Sequence, residues 1–439
     1  MSPALITVLM FASVILFMVT GVPIAFILGG VGIGFGIWLW GPAASEIIYY
    51  STMDLMYNFI FAAIPLFVFM GLVLQESGVA ENLFDTIHRW AGGIKGGLGM
   101  GTVAICAVMA AMVGITGAAT VTMGIIALPA MLKRKYNKRI AVGLIMAGGA
   151  LGFLIPPSVM MIMYAFLSGV SVGKLFAGGM LPGLMLATMY IIYIGVRCYF
   201  QPEMGPPLPP EERTTWKEKI IALRGIVLPV ILVVMVLGFI FLGVTSPTEA
   251  SGVGALGALI CAAVHRKLNW GLMKRAGLSA LRLSGMVFWI TIAAVAFGKV
   301  YTGLGAPQMV RETMAGLGIG PWGILIMMQL SFFIMGMFLD DIAILFIAMP
   351  IYIPVIVGLG FDPLWFAILY IVNMQMAYLT PPYGFNLFYM RGVAPPEITM
   401  GDIYRSVIPF VALQALGLAM IMIFPQIVLF LPNLIFGIK

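Results

Sequence analysis

The sequence predicts an all-α polytopic membrane protein built as an inverted repeat, each half carrying a re-entrant helical hairpin and a broken helix. Three observations predict it. The 439 residues are 62% hydrophobic and 9% charged, with a mean hydropathy of +1.11, whereas an ordinary soluble domain is roughly 25% charged. A Pro-Pro motif recurs in similar surroundings 225 positions further on. The basic residues sit in short loops between apolar runs, where they orient a membrane protein.

Composition sets the solvent. So much apolar surface exceeds what a globular core could bury, so lipid must bathe most of the chain. A spanning helix needs about 20 apolar residues, so the length could hold on the order of a dozen membrane segments. The net charge of +7 does not indicate nucleic acid, because the cations lie in loops between those segments. Cys106, Cys198 and Cys261 are isolated in apolar stretches with no CxxC spacing, which argues against both disulfides and a metal centre and favours buried small hydrophobes. Residues 4–21 lack a basic n-region and read as a retained helix, not a signal peptide.

Apolar runs cover 4–20, 22–41, 58–75, 97–113, 118–132, 140–155, 175–200, 225–244, 250–264, 283–300, 321–339, 342–357, 364–379 and 406–432. Several are too short to cross a core of about 30 Å at 1.5 Å per residue. The most polar stretch, 201–224, contains five prolines and mixed charges. It reads as a cytoplasmic linker between a first half, 1–200, and a second, 225–439.

The halves look related. Leu154-Ile155-Pro156-Pro157-Ser158 recurs as Leu379-Thr380-Pro381-Pro382-Tyr383, and the same offset pairs Pro129 with Pro354 and Tyr164 with Tyr389. Upstream of each Pro-Pro lie two short apolar runs separated by a tip: Thr116-Gly117-Ala118-Ala119-Thr120 in the first half, Asp340-Asp341 in the second. The reading is a hairpin at 97–132 with a broken helix at 140–170, and a hairpin at 321–357 with a broken helix at 364–393. Interrupted hydrophobic segments at corresponding positions point to a transporter's midplane site.

Charge gives the sidedness. His88, Arg89 and Lys95 precede the first hairpin and Lys133, Arg134, Lys135, Lys138 and Arg139 follow it, so both its ends face the cytoplasm and its tip stops inside the membrane. The second hairpin runs into Val357-Gly358-Leu359-Gly360-Phe361-Asp362, with no basic residue, and should enter from the opposite side. His265, Arg266, Lys267, Lys274 and Arg275 fall on the cytoplasmic side in the same count.

Broken helices free backbone groups that are costly in lipid unless protein, water or a ligand satisfies them. A cation at such a break would use carbonyl and hydroxyl oxygens as hard ligands. The first break offers Thr116, Gly117 and Thr120, opposed by Gly152, Pro156, Pro157 and Ser158. The second offers Asp340 and Asp341, opposed by Asn373, Thr380, Pro381, Pro382 and Asn386. Both sets are rich in oxygen and free of thiolate and imidazole, which suits sodium, with Thr116, Gly117, Asp340, Asp341 and Thr380 as its expected ligands. Asp340 and Asp341 are the only adjacent acidic pair in an apolar stretch. They are candidates for ion or proton coupling, or for capping the helix that follows. Arg391 reads as a snorkelling residue or an anion contact, and Glu249 as a helix-start carboxylate or a subunit contact. No GxxxxGKS/T motif, HExxH pair or intramembrane aspartyl protease pattern is present, so no enzymatic activity or organic cofactor is expected and an ion gradient must supply the energy.

Read together, several motifs give a resemblance that runs essentially end to end. They are Ile64-Pro65-Leu66-Phe67-Val68 with Gly71, Leu151-Gly152-Phe153-Leu154-Ile155-Pro156-Pro157-Ser158, and Leu175-Phe176-Ala177-Gly178-Gly179 leading to Leu181-Pro182-Gly183-Leu184. Thr245-Ser246-Pro247-Thr248-Glu249-Ala250, Phe338-Leu339-Asp340-Asp341 and Thr380-Pro381-Pro382-Tyr383-Gly384 complete the series. In this order they resemble the large membrane subunit of tripartite ATP-independent periplasmic (TRAP) transporters.

That resemblance implies a sodium-coupled importer in the bacterial inner membrane, working with a small four-helix membrane subunit and a soluble periplasmic substrate-binding protein. It implies an elevator mechanism, organic-anion substrates carrying a carboxylate, and sodium sites at the two hairpin tips and the facing Pro-Pro loops. One departure stands out. Family members often have a serine-rich first tip, whereas this chain has Thr116-Gly117-Ala118, and Ala118 has no side-chain oxygen. The alternative reading is a stand-alone ion-coupled carboxylate transporter or antiporter of similar hairpin architecture.

Overall fold

The computed structural model describes residues 2–91, 93–114, 116–209, 214–305, 308–309, 312, 316 and 318–437. Among the described residues every regular element is helical. The first half runs α1 (Pro3–Val19), α2 (Ile24–Trp40), α3 (Ala43–Tyr57), α4 (Ala63–Glu76), α5 (Val79–Ala91), α6 (Gly97–Val113), α7 (Thr116–Lys133), α8 (Lys138–Ala150), α9 (Val159–Ser168) and α10 (Val172–Phe200). The second runs α11 (Trp216–Phe241), α12 (Pro247–Val264), α13 (Trp270–Gly303), α14 (Pro321–Gly336), α15 (Asp341–Gly358), α16 (Pro363–Ala377), α17 (Phe385–Val393), α18 (Met400–Ile423) and α19 (Gln426–Phe436).

By length and composition, seven of the described helices can cross a membrane, and seven shorter apolar helices accompany them. Two of the seven are α7 and α15, whose preceding partners α6 and α14 are among the shorter helices. Polar caps start many of the helices. Ser2 accepts from Leu5 N ahead of α1, and Thr215 with Glu218, Ser246 with Glu249 and Thr399 with Asp402 form reciprocal capping boxes. Glu249 is thus a helix-start residue. His88 lies within α5 and His265 caps α12. The three cysteines are buried and unpaired.

The polar stretch 201–224 is only partly a linker. Helix α11 begins at Trp216, inside it, because the Thr215–Glu218 box nucleates a run with no proline until Pro229. Residues 210–213 of that stretch lie outside the described residues.

The halves share a register. Thr116 opens α7 and Asp341, 225 positions on, opens α15; Lys138 opens α8 and Pro363, at the same offset, opens α16. The caps repeat too: Asn137 accepts from Arg139 N, and its counterpart Asp362 accepts from Leu364 N and Trp365 N. Both Pro156–Pro157 and Pro381–Pro382 are cis. Two residues touch their own counterparts. Gln375 Nε2 donates to the Ala150 carbonyl at 2.6 Å, and the rings of Phe153 and Tyr378 meet edge to face at 4.8 Å. Self-paired contacts of this kind lie beside a two-fold relation.

Packing follows the same rule. Helix α7 packs on α17, the second segment of the other half's broken helix, and its counterpart α15 packs on α9. Elsewhere α2 lies tightly on α13, where a Cβ at Gly32 would come within 2.8 Å of the Phe297 backbone. Small residues allow such close approach between membrane helices.

Candidate functional site

The second break lies between α14 and α15. Asp340 caps α15, its Oδ2 accepting from Ile342 N at 3.2 Å, and Asp341 is the first helical residue and is buried. The Tyr378 hydroxyl reaches both carboxylates: it lies 3.0 Å from Asp340 Oδ1 and donates to Asp341 Oδ1. Tyr370 donates to the Asp341 carbonyl at 2.7 Å. Among the described residues no lysine, arginine or histidine forms an ion pair with either carboxylate. The Tyr378 ring is held between Phe153 and Phe385, at 4.8 and 5.1 Å. One phenol therefore links the acidic tip to the cis-Pro loop of its own half and to the midline of the molecule.

The first break lies between α6 and α7. Gly114 closes α6 in the left-handed region with φ of 65°, and a Cβ there would sit 2.5 Å from the Pro157 carbonyl oxygen. Only glycine meets both demands. Thr116 is buried and its hydroxyl has no hydrogen-bond partner among the described residues. Thr120 donates to Asn386 Oδ1 at 2.9 Å, and Asn386 Nδ2 donates to the Met146 carbonyl at 2.9 Å. Gly117 lies under the Tyr389 ring, with Cε2 at 2.7 Å from a Cβ built there. Gly152, Pro156, Pro157 and Ser158 are all buried, and Ser158 donates to the Phe153 carbonyl at 2.7 Å.

Several expected groupings change. The tip residues 116–120 belong to the first turns of α7, and the break itself falls at Gly114, where the left-handed cap ends α6. Asn386 does not face the acidic tip; it serves the first tip, because α17 packs on α7. Asn373 also turns elsewhere, donating to the Gln329 carbonyl and Oε1 at 2.7 and 3.0 Å, with its own Oδ1 left unpartnered. Thr380 donates back to the Met376 carbonyl at 2.8 Å, while Pro381 and Pro382 are exposed. Arg391 Nη1 donates to the Ile398 carbonyl at 2.6 Å, so it ties α17 to the turn before α18. Sequence reasoning missed Tyr370 and Tyr378, both contacts of the acidic tip.

The chain matches the model of the tripartite ATP-independent periplasmic transporter, DctM component, over residues 11–427. It belongs to that family. It is 31% identical to the C4-dicarboxylate TRAP transporter large permease protein DctM of Vibrio cholerae, covering 98% of each chain. It is 30% identical to the ectoine TRAP transporter large permease protein TeaC of Halomonas elongata, covering 98% of this chain and all of that one. Among solved structures it resembles the YdaH transporter of Alcanivorax borkumensis, with a TM-score of 0.66, 13% identity, and coverage of 93% and 97%. The likeness to the YdaH structure concerns the fold alone. The chain is therefore a multi-pass TRAP large permease, and its curated relatives are transporter permeases.

Within that permease the donors at the two tips are carboxylate, hydroxyl and carbonyl oxygens. Among the described residues no group of three or more His, Cys, Asp or Glu side chains converges. Oxygen donors of this kind suit hard cations and lack the thiolate and imidazole that transition metals favour. At the first tip Thr116 Oγ1 is a buried oxygen without a partner among the described residues and has hydrogen-bonding capacity to spare.

Proposed function

We propose that this large permease couples inward sodium flow to import of an organic acid delivered by a soluble periplasmic binding protein. In this reading it works in the bacterial inner membrane with a small four-helix membrane subunit. The observation that carries the reading is the pair of hairpin tips at equivalent positions, each with polar groups buried at a helix break. At each tip the carbonyl end of one helix meets the amide end of the next. The first end favours a cation and the second an anion, so one tip can serve both the coupling ion and a carboxylate. Thr116 and Asp341, at equivalent positions, would contribute to the two ion sites, with Gly117 and Asp340 adjacent to them in sequence and Thr380 on the second Pro-Pro loop.

An elevator movement fits the packing. The hairpins interlock with the broken helices of the opposite halves, α7 with α17 and α15 with α9, so these segments can travel as one body. The two hairpins enter from opposite sides in this account, and no substrate bond is made or broken. The C4-dicarboxylate and ectoine permeases among the relatives support a small carboxylate-bearing substrate.

The test is uptake into proteoliposomes holding the complete transporter. Uptake should require both an inward sodium gradient and added binding protein. Transport indifferent to sodium would remove the coupling, and transport without binding protein would favour a stand-alone carboxylate carrier.

A further inference from the structure

A cavity of about 350 Å³ opens far from either hairpin tip, where α8, α10 and α18 converge. Three arginines line it: Arg139 in the first turn of α8, Arg197 in the last turn of α10, and Arg405 in the second turn of α18. No carboxylate lines it. Asp402, three residues before Arg405 on α18, is paired with Lys138 at 2.7 Å, which pins α8 to α18. Among the described residues none of the three guanidinium groups makes an ion pair.

The site is built, not a chance gathering of surface cations. Asn137 donates its backbone N–H to the Met204 carbonyl at 3.1 Å and spends its Oδ1 on capping α8, leaving its amide nitrogen as a donor at the cavity wall. The amino-terminal end of α8 adds its own partial positive charge. The remaining wall is apolar and aromatic. Tyr193 and Phe410 meet edge to face at 5.4 Å, and Ile140, Ile408 and Pro409 extend the surface. Ile408 is 64% exposed, and Ile192 and Val196, on the same helix as Tyr193, are 58% and 52% exposed. These apolar side chains are the lipid-facing surface of a chain that lies in a membrane. The arginines occupy the end of the molecule that the basic-loop rule assigns to the cytoplasm.

We infer that this cavity binds the phosphate-bearing headgroup of an anionic phospholipid, with Arg139, Arg197 and Arg405 on the phosphate and the Tyr193–Ile408–Phe410 wall against the upper acyl chain. Guanidinium groups suit phosphate because they offer paired, fixed donors. Basic cavities between membrane helices on the cytoplasmic side take such headgroups. The apolar wall that continues into the lipid-facing surface separates a lipid from free phosphate, which would need no such wall. A lipid held here would bridge α8, the first segment of one broken helix, to α10 and α18.

The test uses the purified full-length permease in nanodiscs and native mass spectrometry. The wild type should retain phosphatidylglycerol in preference to phosphatidylcholine. Replacing all three arginines by glutamine should weaken that retention on the order of a hundredfold, from roughly tenfold or less for each charge near the surface. Arg139→Lys, Arg197→Lys and Arg405→Lys together keep the charge and should retain the lipid partly, which separates loss of binding from loss of folding. A control with Lys267→Gln, Lys274→Gln and Arg275→Gln removes equal charge elsewhere and should leave retention unchanged. Wild type that shows no preference for phosphatidylglycerol, or a glutamine triple variant that keeps it, would overturn the site. Protection from thermal unfolding by inorganic phosphate alone, equal to that given by phosphatidylglycerol, would overturn the lipid as its occupant.

Discussion

The two helix breaks share a backbone and differ in chemistry and exposure. At the first, Gly114, Thr116 and the whole 151–158 loop are buried, and the polar groups are neutral hydroxyls and carbonyls. At the second, two carboxylates stand at the tip, and Pro381, Pro382 and Tyr383 of the facing loop are exposed. Thr116 occupies the position where the other half has Asp341, and Phe153 the position of Tyr378. Duplicated geometry has thus been given one closed, uncharged tip and one charged tip beside an open loop.

Four substitutions, in decreasing order of effect, and one matched control for the first of them probe this asymmetry. Gly114→Ala should be the most damaging, at about 3 kcal/mol, since it combines a left-handed residue with a clash against the Pro157 carbonyl. Its counterpart Leu339 has no such requirement, and Leu339→Ala should cost about 1 kcal/mol. Thermal unfolding of the two variants in the same detergent would show whether only the first tip depends on glycine; equal losses would break the contrast.

Tyr378→Phe makes the second half resemble the first, removing the hydroxyl that serves both carboxylates. A loss of about 1–3 kcal/mol is expected in potassium. The loss should shrink in sodium, because a bound cation can satisfy the oxygens the phenol abandons. The same loss in both salts would mean the carboxylates do not see the ion. Thr120→Val leaves Asn386 Oδ1 without its donor and should cost about 1–2 kcal/mol in either salt, read as a shift in the melting temperature.

The smallest effect concerns the entry to the broken helices, where the first half has Lys138 and the second Pro363. The Lys138 side chain is 44% exposed, so Lys138→Met should cost under about 1 kcal/mol and matter less at high salt. A larger, salt-independent loss would show that this ion pair contributes more than an exposed one normally does.

Much of the framework was legible in the sequence. The Pro-Pro repeat at offset 225 located both broken helices, and the hairpin runs located α6, α7, α14 and α15. A capping aspartate was one of the readings the pair Asp340-Asp341 left open, and the start of α15 assigns it to Asp340. The partners of Asn386 and Asn373 were not legible, because they are set by which half a helix packs against, and no local pattern encodes that. Tyr378 was hidden for a related reason: an aromatic in an apolar run also suits packing or lipid. Its only clue was its place two residues before Thr380-Pro381-Pro382. The first tip was displaced by two residues because Gly114 and Gly117 both look like helix terminators. Packing against Pro157 selects the former.

The central claim, that the two tips bind sodium, meets its most direct test in the thermal stability of the purified protein in sodium against potassium at matched ionic strength. An ion bound only by the folded state at 100 times its dissociation constant adds about 2.7 kcal/mol. The account predicts a sodium-specific rise in melting temperature that is diminished in Asp341→Asn and in Thr116→Ala. Equal melting temperatures in the two salts for the wild type, or a sodium shift untouched by both substitutions, would contradict it.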